Sequence, residues 1–127
     1  MQIKKLAQDP AEGDKITPGS LIEARDAVEL EEVGVLRKVR RATGNGRESG
    51  ADFVDGNGRL YDHKVATSER GNFKARPFVD QIVRKDIGAG ETIILNRRSL
   101  SEPDLQALLQ EIDSRDLRAH FIFHPPL

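Results

Sequence analysis

The triplet Gly56-Asn57-Gly58 constrains this chain more than any other stretch. Glycine reaches positive φ without steric cost, so two glycines around an asparagine, between short apolar segments, predict a tight β-hairpin. The flanking segments 51–55 and 59–66 then become neighbouring antiparallel strands. Asp52 lies on the first, and Asp62 and Lys64 on the second. Residues two apart in a strand leave the same face, so Asp62 and Lys64 point together. Two acids and a lysine on a half-buried sheet are costly unless something pairs them. A divalent cation does so, and hard carboxylate oxygens suit magnesium or manganese, with water and phosphate oxygens completing the shell.

The remaining elements follow from periodicity. Ser20 reads as an N-cap with Glu23 at capping-box spacing, and Leu21, Ala24, Ala27, Val28 and Leu30 keep a helical period up to Gly34. Residues 35–41 read as a strand with Val35, Arg37, Val39 and Arg41 on one face, and 43–50 as a loop. Pro77 opens a second helix with Phe78, Val79, Ile82, Val83 and Ile87 on one side, closed by Gly88. Residues 92–95 form a continuous apolar run that suits a buried strand. Ser101-Glu102-Pro103-Asp104 is a helix start, followed by Leu105, Leu108, Leu109 and Ile112. The alternation through Phe121 and Phe123 makes 120–124 the last strand. The predicted order is α-β-β-β-α-β-α-β: an α/β (α+β) fold, a mixed sheet flanked by helices, ending in a right-handed strand–helix–strand crossover. Residues 1–18 show no periodicity and carry Pro10, Gly13 and Pro18; they read as a linker or flexible arm before a domain at 19–127.

Composition narrows the function. With no Cys, disulfide scaffolds, zinc-thiolate sites, iron–sulfur clusters and cysteine nucleophiles are excluded. With no Trp, five Phe and one Tyr, the core must be mostly aliphatic, and an aromatic base-stacking platform is not expected. No apolar run approaches the roughly 18 residues of a membrane span. The net charge of −1 hides a division: residues 1–36 hold four Lys/Arg against eight Asp/Glu, 37–85 hold twelve against six, and 86–127 hold four against seven. A basic middle between acidic flanks suits a phosphate-facing surface. The expected phosphate contacts are Arg41, Thr67, Ser68, Lys74 and Arg76. Asp55-Gly56-Asn57-Gly58 is not a calcium loop, because Arg59, Leu60 and Ala66 occupy positions that an EF-hand gives to ligands and its glycine. His63, His120 and His124 read as surface or edge residues. There is no P-loop and no G-x-S-x-G.

The stretch from Gly50 to Lys64 resembles the restriction-endonuclease-like superfamily of metal-dependent nucleases, with its PD-(D/E)xK signature. Ala51-Asp52 stands for Pro-Asp, and Asp62-His63-Lys64 fits D-x-K. The superfamily core, α-β-β-β-α-β, is the order read above. More narrowly, the phrase is similar to those in the C-terminal nuclease toxin domains of contact-dependent growth inhibition proteins (CdiA-type polymorphic toxins). The likeness is close over residues 20–95 and looser beyond. Two departures stand out: Ala51 replaces the proline, and His63 fills a place usually apolar.

The resemblance implies a metal-dependent endonuclease hydrolysing phosphodiester bonds. Asp52 and Asp62 would bind the metal (magnesium first, manganese or zinc as alternatives), and Lys64 would orient water or stabilise charge. A helix carboxylate would complete the site, Glu23 first with Glu31 as rival; Glu23 equally fits a capping acid. It further implies RNA as substrate, transfer RNA ahead of DNA. The domain would be carried by a larger secreted or cell-surface protein, would act in the cytoplasm of a target bacterium, and would be neutralised by an immunity protein. The competing class is a non-catalytic interaction or immunity-type module.

Overall fold

The computed structural model describes residues 6–9, 15–48 and 50–127. Strands β1 (Gln8–Asp9) and β2 (Lys15–Ile16) pair antiparallel with each other. Helix α1 (Pro18–Glu32), strands β3 (Arg40–Arg41), β4 (Phe53–Val54) and β5 (Leu60–Thr67), helix α2 (Ala75–Ile82), strand β6 (Thr92–Ser99), helix α3 (Glu102–Ser114) and strand β7 (Phe121–His124) follow. From Pro18 onward this is the α-β-β-β-α-β-α-β order that the periodicities predict. The five later strands form one mixed sheet, β3-β4-β5-β6-β7, in which β3, β4 and β5 pair antiparallel and β6 and β7 pair parallel. Two compact units divide the chain, Met1–Asp62 and His63–Leu127, and β5 runs from one into the other. Among the described residues, no helix is long and apolar enough to cross a membrane.

In the first unit, α1 starts earlier than Ser20. Thr17 is the cap: its hydroxyl accepts from Ser20 N–H at 3.0 Å while Ser20 Oγ accepts from Thr17 N–H at 2.8 Å, and Pro18 enters the first turn. Proline's missing N–H costs nothing there, which favours the earlier start and leaves Glu23 without a capping role. The helix buries Ala24, Ala27, Val28 and Leu30. Within 1–18, read above as an arm, Leu6 and Ala7 are buried; residues 1–5 and 10–14 lie outside the described residues.

The strand expected over 35–41 shrinks to Arg40–Arg41; Val39 and Arg41 keep their expected face, but the alternation fails at Val35 and Leu36. The N–H groups of Val35 and Leu36 both return to Leu30 O, at 2.9 and 3.2 Å, so the chain wraps back onto the helix end before extending. Lys38, at φ 51, then interrupts the extended backbone. In consequence Leu36 and Val39 are buried and Val35 is exposed.

The hairpin forms where Gly56-Asn57-Gly58 places it. Only Gly58 has positive φ (81); Gly56 is needed because a Cβ there would lie 3.1 Å from Lys38 Cβ. Asp55 organises the turn, its carboxylate accepting from Asn57 N–H, Arg59 N–H and the Tyr61 hydroxyl, each at 2.9 Å. Burial works against the charge on Asp55, but these donors outweigh it and hold its carboxyl below the usual range. Burial, reinforced by the Asp55 carboxylate, pushes the Tyr61 hydroxyl up to about 12.

The second unit packs α2, α3 and the inner strands around Ala66, Val79, Ile82, Ile93, Leu95, Leu108, Ile112, Phe121 and Phe123. Ile93, Ile94 and Leu95 are all fully buried, as a continuous apolar strand demands. Ser101 caps α3, accepting from Asp104 N–H at 3.3 Å.

Two outcomes are expected. Leu108→Ala, which empties a fully buried site, lowers stability by about 2–5 kcal/mol in denaturant unfolding. The chain's single tyrosine titrates, by phenolate absorbance, near 12 in the folded protein. Because the fold favours the neutral phenol, stability is intact below the ordinary value of about 10 and declines as pH rises towards 12. A folded-state midpoint near 10 contradicts this environment.

Candidate active site

Strand alternation places Asp62 and Lys64 on one face of β5, Asp62 buried and Lys64 partly exposed. The structure then brings to Lys64 a partner that the sequence reading did not name. Lys64 Nζ lies 3.5 Å from Asp86 Oδ2. Asp86 sits in a single π-helical turn, Val83–Ile87, that continues α2, with Gly88 N–H donating to Val83 O at 3.0 Å. Such wide turns are rare and recur at functional sites. Here the widened turn is followed by Glu91, whose N–H returns to Asp86 O at 3.0 Å. Asp86 and Glu91 are both buried, 6% and 4% exposed, and offer carboxylate oxygens within 4.8 Å of each other.

Carboxylate oxygens this close repel one another when both groups are ionised. A divalent cation between them turns that repulsion into attraction more completely than one ammonium can. Buried carboxylates such as these could hold a metal ion. Both acids were legible in principle. Asp86 is seven residues after Val79, on the apolar stripe of its helix, and Glu91 is in phase with Ile93 and Leu95. A carboxylate on a buried stripe is a signal in itself.

The other predicted ligands gather elsewhere. Asp52 N–H donates to Tyr61 O at 2.9 Å although Phe53 is the register partner of Tyr61, so two residues of one strand answer one of the other, which is a β-bulge. The Asp52 carboxylate lies 3.9 Å from Arg41 Nη1, and Glu23 Oε1 lies 2.9 Å from the same nitrogen. Glu23 and Asp52 are thus brought together, but around an arginine. Arg41 is placed as an internal cation and not as the phosphate contact expected of it. Its side chain is 7% exposed, its guanidinium lies 4.5 Å from the centre of the Phe53 ring, and its Nε donates to Leu6 O at 2.5 Å. Glu31 is engaged in the loop after α1, accepting from Val39 N–H at 2.8 Å.

Of the remaining phosphate candidates, Ser68 is committed to the start of α3: its hydroxyl donates to Asp104 Oδ2 at 2.6 Å and accepts from Ser101 N–H at 2.8 Å. Thr67 accepts from Glu69 N–H at 3.1 Å. Lys74 and Arg76 are exposed at the start of α2, where contact with a long anion is open to them. His63, read as a surface or edge residue, is buried.

Compared with known proteins, the chain matches no family model, no curated protein sequence and no solved structure.

Arg41 supplies a sharp test of the first unit. Arg41→Ala leaves Glu23 and Asp52 around an uncompensated void and is expected to cost about 3–5 kcal/mol in urea unfolding. Arg41→Lys restores only part of that, since an ammonium cannot reproduce the guanidinium's placement over the Phe53 ring or its several donors.

Proposed function

We propose that this chain is a metal-dependent endonuclease that hydrolyses phosphodiester bonds. The observation that carries the reading is the approach of Lys64, from the D-x-K stretch of β5, to the buried Asp86, beside Glu91. Asp86 and Glu91 are the proposed ligands of a divalent ion, magnesium first. Asp62, on the strand face that Lys64 shares, is the carboxylate that D-x-K contributes. A divalent ion so held supplies an acidified water and offsets charge on the phosphoryl group. Lys64, half in water and half against Asp86, is placed to orient a nucleophilic water or to neutralise a non-bridging oxygen. Its attachment to the middle of a strand limits how far it can stray from that position.

What supports a nuclease over other metal hydrolases is the basic central segment together with the resemblance of residues 50–64 to the PD-(D/E)xK pattern. The same resemblance supports a toxin domain of a contact-dependent growth inhibition protein. That domain would be delivered from a larger secreted or cell-surface protein into a target cell, act there on transfer RNA before DNA, and be held in check by an immunity protein. In this proposal the helix carboxylate of that pattern is replaced by Asp86 and Glu91, because Glu23 and Asp52 are engaged with Arg41.

The test incubates purified protein with transfer RNA and with plasmid DNA, in magnesium and in EDTA. Magnesium-dependent shortening is expected. Lys64→Ala and Asp86→Asn, each checked for folding by its unfolding curve, should lower the rate by about 100-fold or more. Absence of magnesium-dependent cleavage of either nucleic acid, with no magnesium binding by calorimetry, overturns the reading in favour of a non-catalytic interaction module.

A further inference from the structure

The first unit carries a second feature that the proposed chemistry does not use. A cavity of about 380 Å³ lies on the face of the sheet opposite Arg41, Phe53 and Tyr61. Its floor is the cross-strand row Arg40–Val54–Leu60, which the register of β3, β4 and β5 sets side by side. Lys38 and Arg47 stand at its rim, both exposed.

The charges in this groove are not equivalent. Glu48 is bound in a fork by Arg40, at 3.1 and 2.8 Å, and accepts from Thr43 N–H at 2.9 Å. Those bonds, the one from Arg40 first, hold its carboxyl down at about 2. Asp55 is saturated by the three donors of the turn. Both acids in the lining are therefore already engaged, whereas neither Lys38 nor Arg47 has an ion-pair partner among the described residues. Lys38 is further held in the left-handed backbone region, at φ 51, with its Cβ packed against Gly56. A non-glycine residue kept at such an angle fixes where its side chain leaves the surface.

We propose that this groove binds the phosphate backbone of a nucleic acid, with Lys38 and Arg47 each contacting a phosphate. Leu60 of the floor is two residues before Asp62 in β5, so the two side chains leave the same face of the strand. The groove rests on the nuclease reading only in the choice of a nucleic acid as its occupant; binding itself needs no metal. Contacts of this kind position a chain without reading its sequence.

Binding of fluorescently labelled transfer RNA and of duplex DNA is measured by anisotropy in EDTA, across a salt series. Lys38→Ala/Arg47→Ala should weaken binding at least about fivefold and flatten the salt dependence by about two phosphate contacts. Arg70→Ala/Lys85→Ala removes the same charge from exposed positions outside the groove and is expected to do less. Equal losses in the two double variants, or no loss in either, overturn the groove. If the groove variant alone loses binding but no cleavage is seen with magnesium, the groove stands and the nuclease reading falls. If the wild type cleaves and the groove variant binds and cleaves equally well, the nuclease reading stands and the groove falls.

Discussion

A carboxylate drawn wholly or partly out of water calls for a cation, and each half of this chain holds one such pairing. In the first unit a single guanidinium serves Glu23 and Asp52 and lies over the Phe53 ring, so one arginine joins α1, the end of β3 and the bulge before β4. In the second unit, Lys64 meets Asp86 at 3.5 Å, with Glu91 close by. The two solutions differ in kind. A guanidinium presents several donors in a fixed fork, whereas an ammonium is a compact point charge on a flexible stem.

That difference separates scaffold from candidate chemistry. Arg41 is surrounded by the groups that it neutralises, and it has little left with which to meet a ligand. Lys64 is partly exposed, on a strand whose other side-chain positions are mostly buried, and it faces acids positioned by a widened helical turn. The same logic runs through the hairpin. Asp55 and Glu48 are both acidic residues beside a groove, yet internal donors saturate each of them. The cations at the rim are what remain to meet an anion.

Much of the fold was legible because it rests on local periodicity. The Ser101 cap, the Leu105–Leu108–Ile112 stripe, the apolar run into β6 and the Gly-Asn-Gly turn each report nearest-neighbour physics, and each stands where expected. Errors came where non-local contacts overrode local preference. Residues 35–41 alternate like a strand, but the helix end captures the N–H groups of Val35 and Leu36 and buries Leu36 in place of Val35, while Val39 and Arg41 keep the face expected of them. Ser20 resembles a cap, but Thr17-Pro18 starts the helix a turn sooner.

For the candidate site the division is sharper. The sequence alone determined that Asp62 and Lys64 share a strand face, since alternation at a period of two admits no other result. It determined equally that a glycine turn precedes them and that the central segment is basic. Which acids join them was decided in three dimensions. A bulge, invisible to composition, gives Asp52 and Phe53 the same partner and leaves Asp52 beside Arg41, while a π turn leaves Asp86 buried against Lys64. Charge pairing acts through space with no regard for separation along the chain, so a linear pattern lists the candidate ligands and only the packed backbone selects among them.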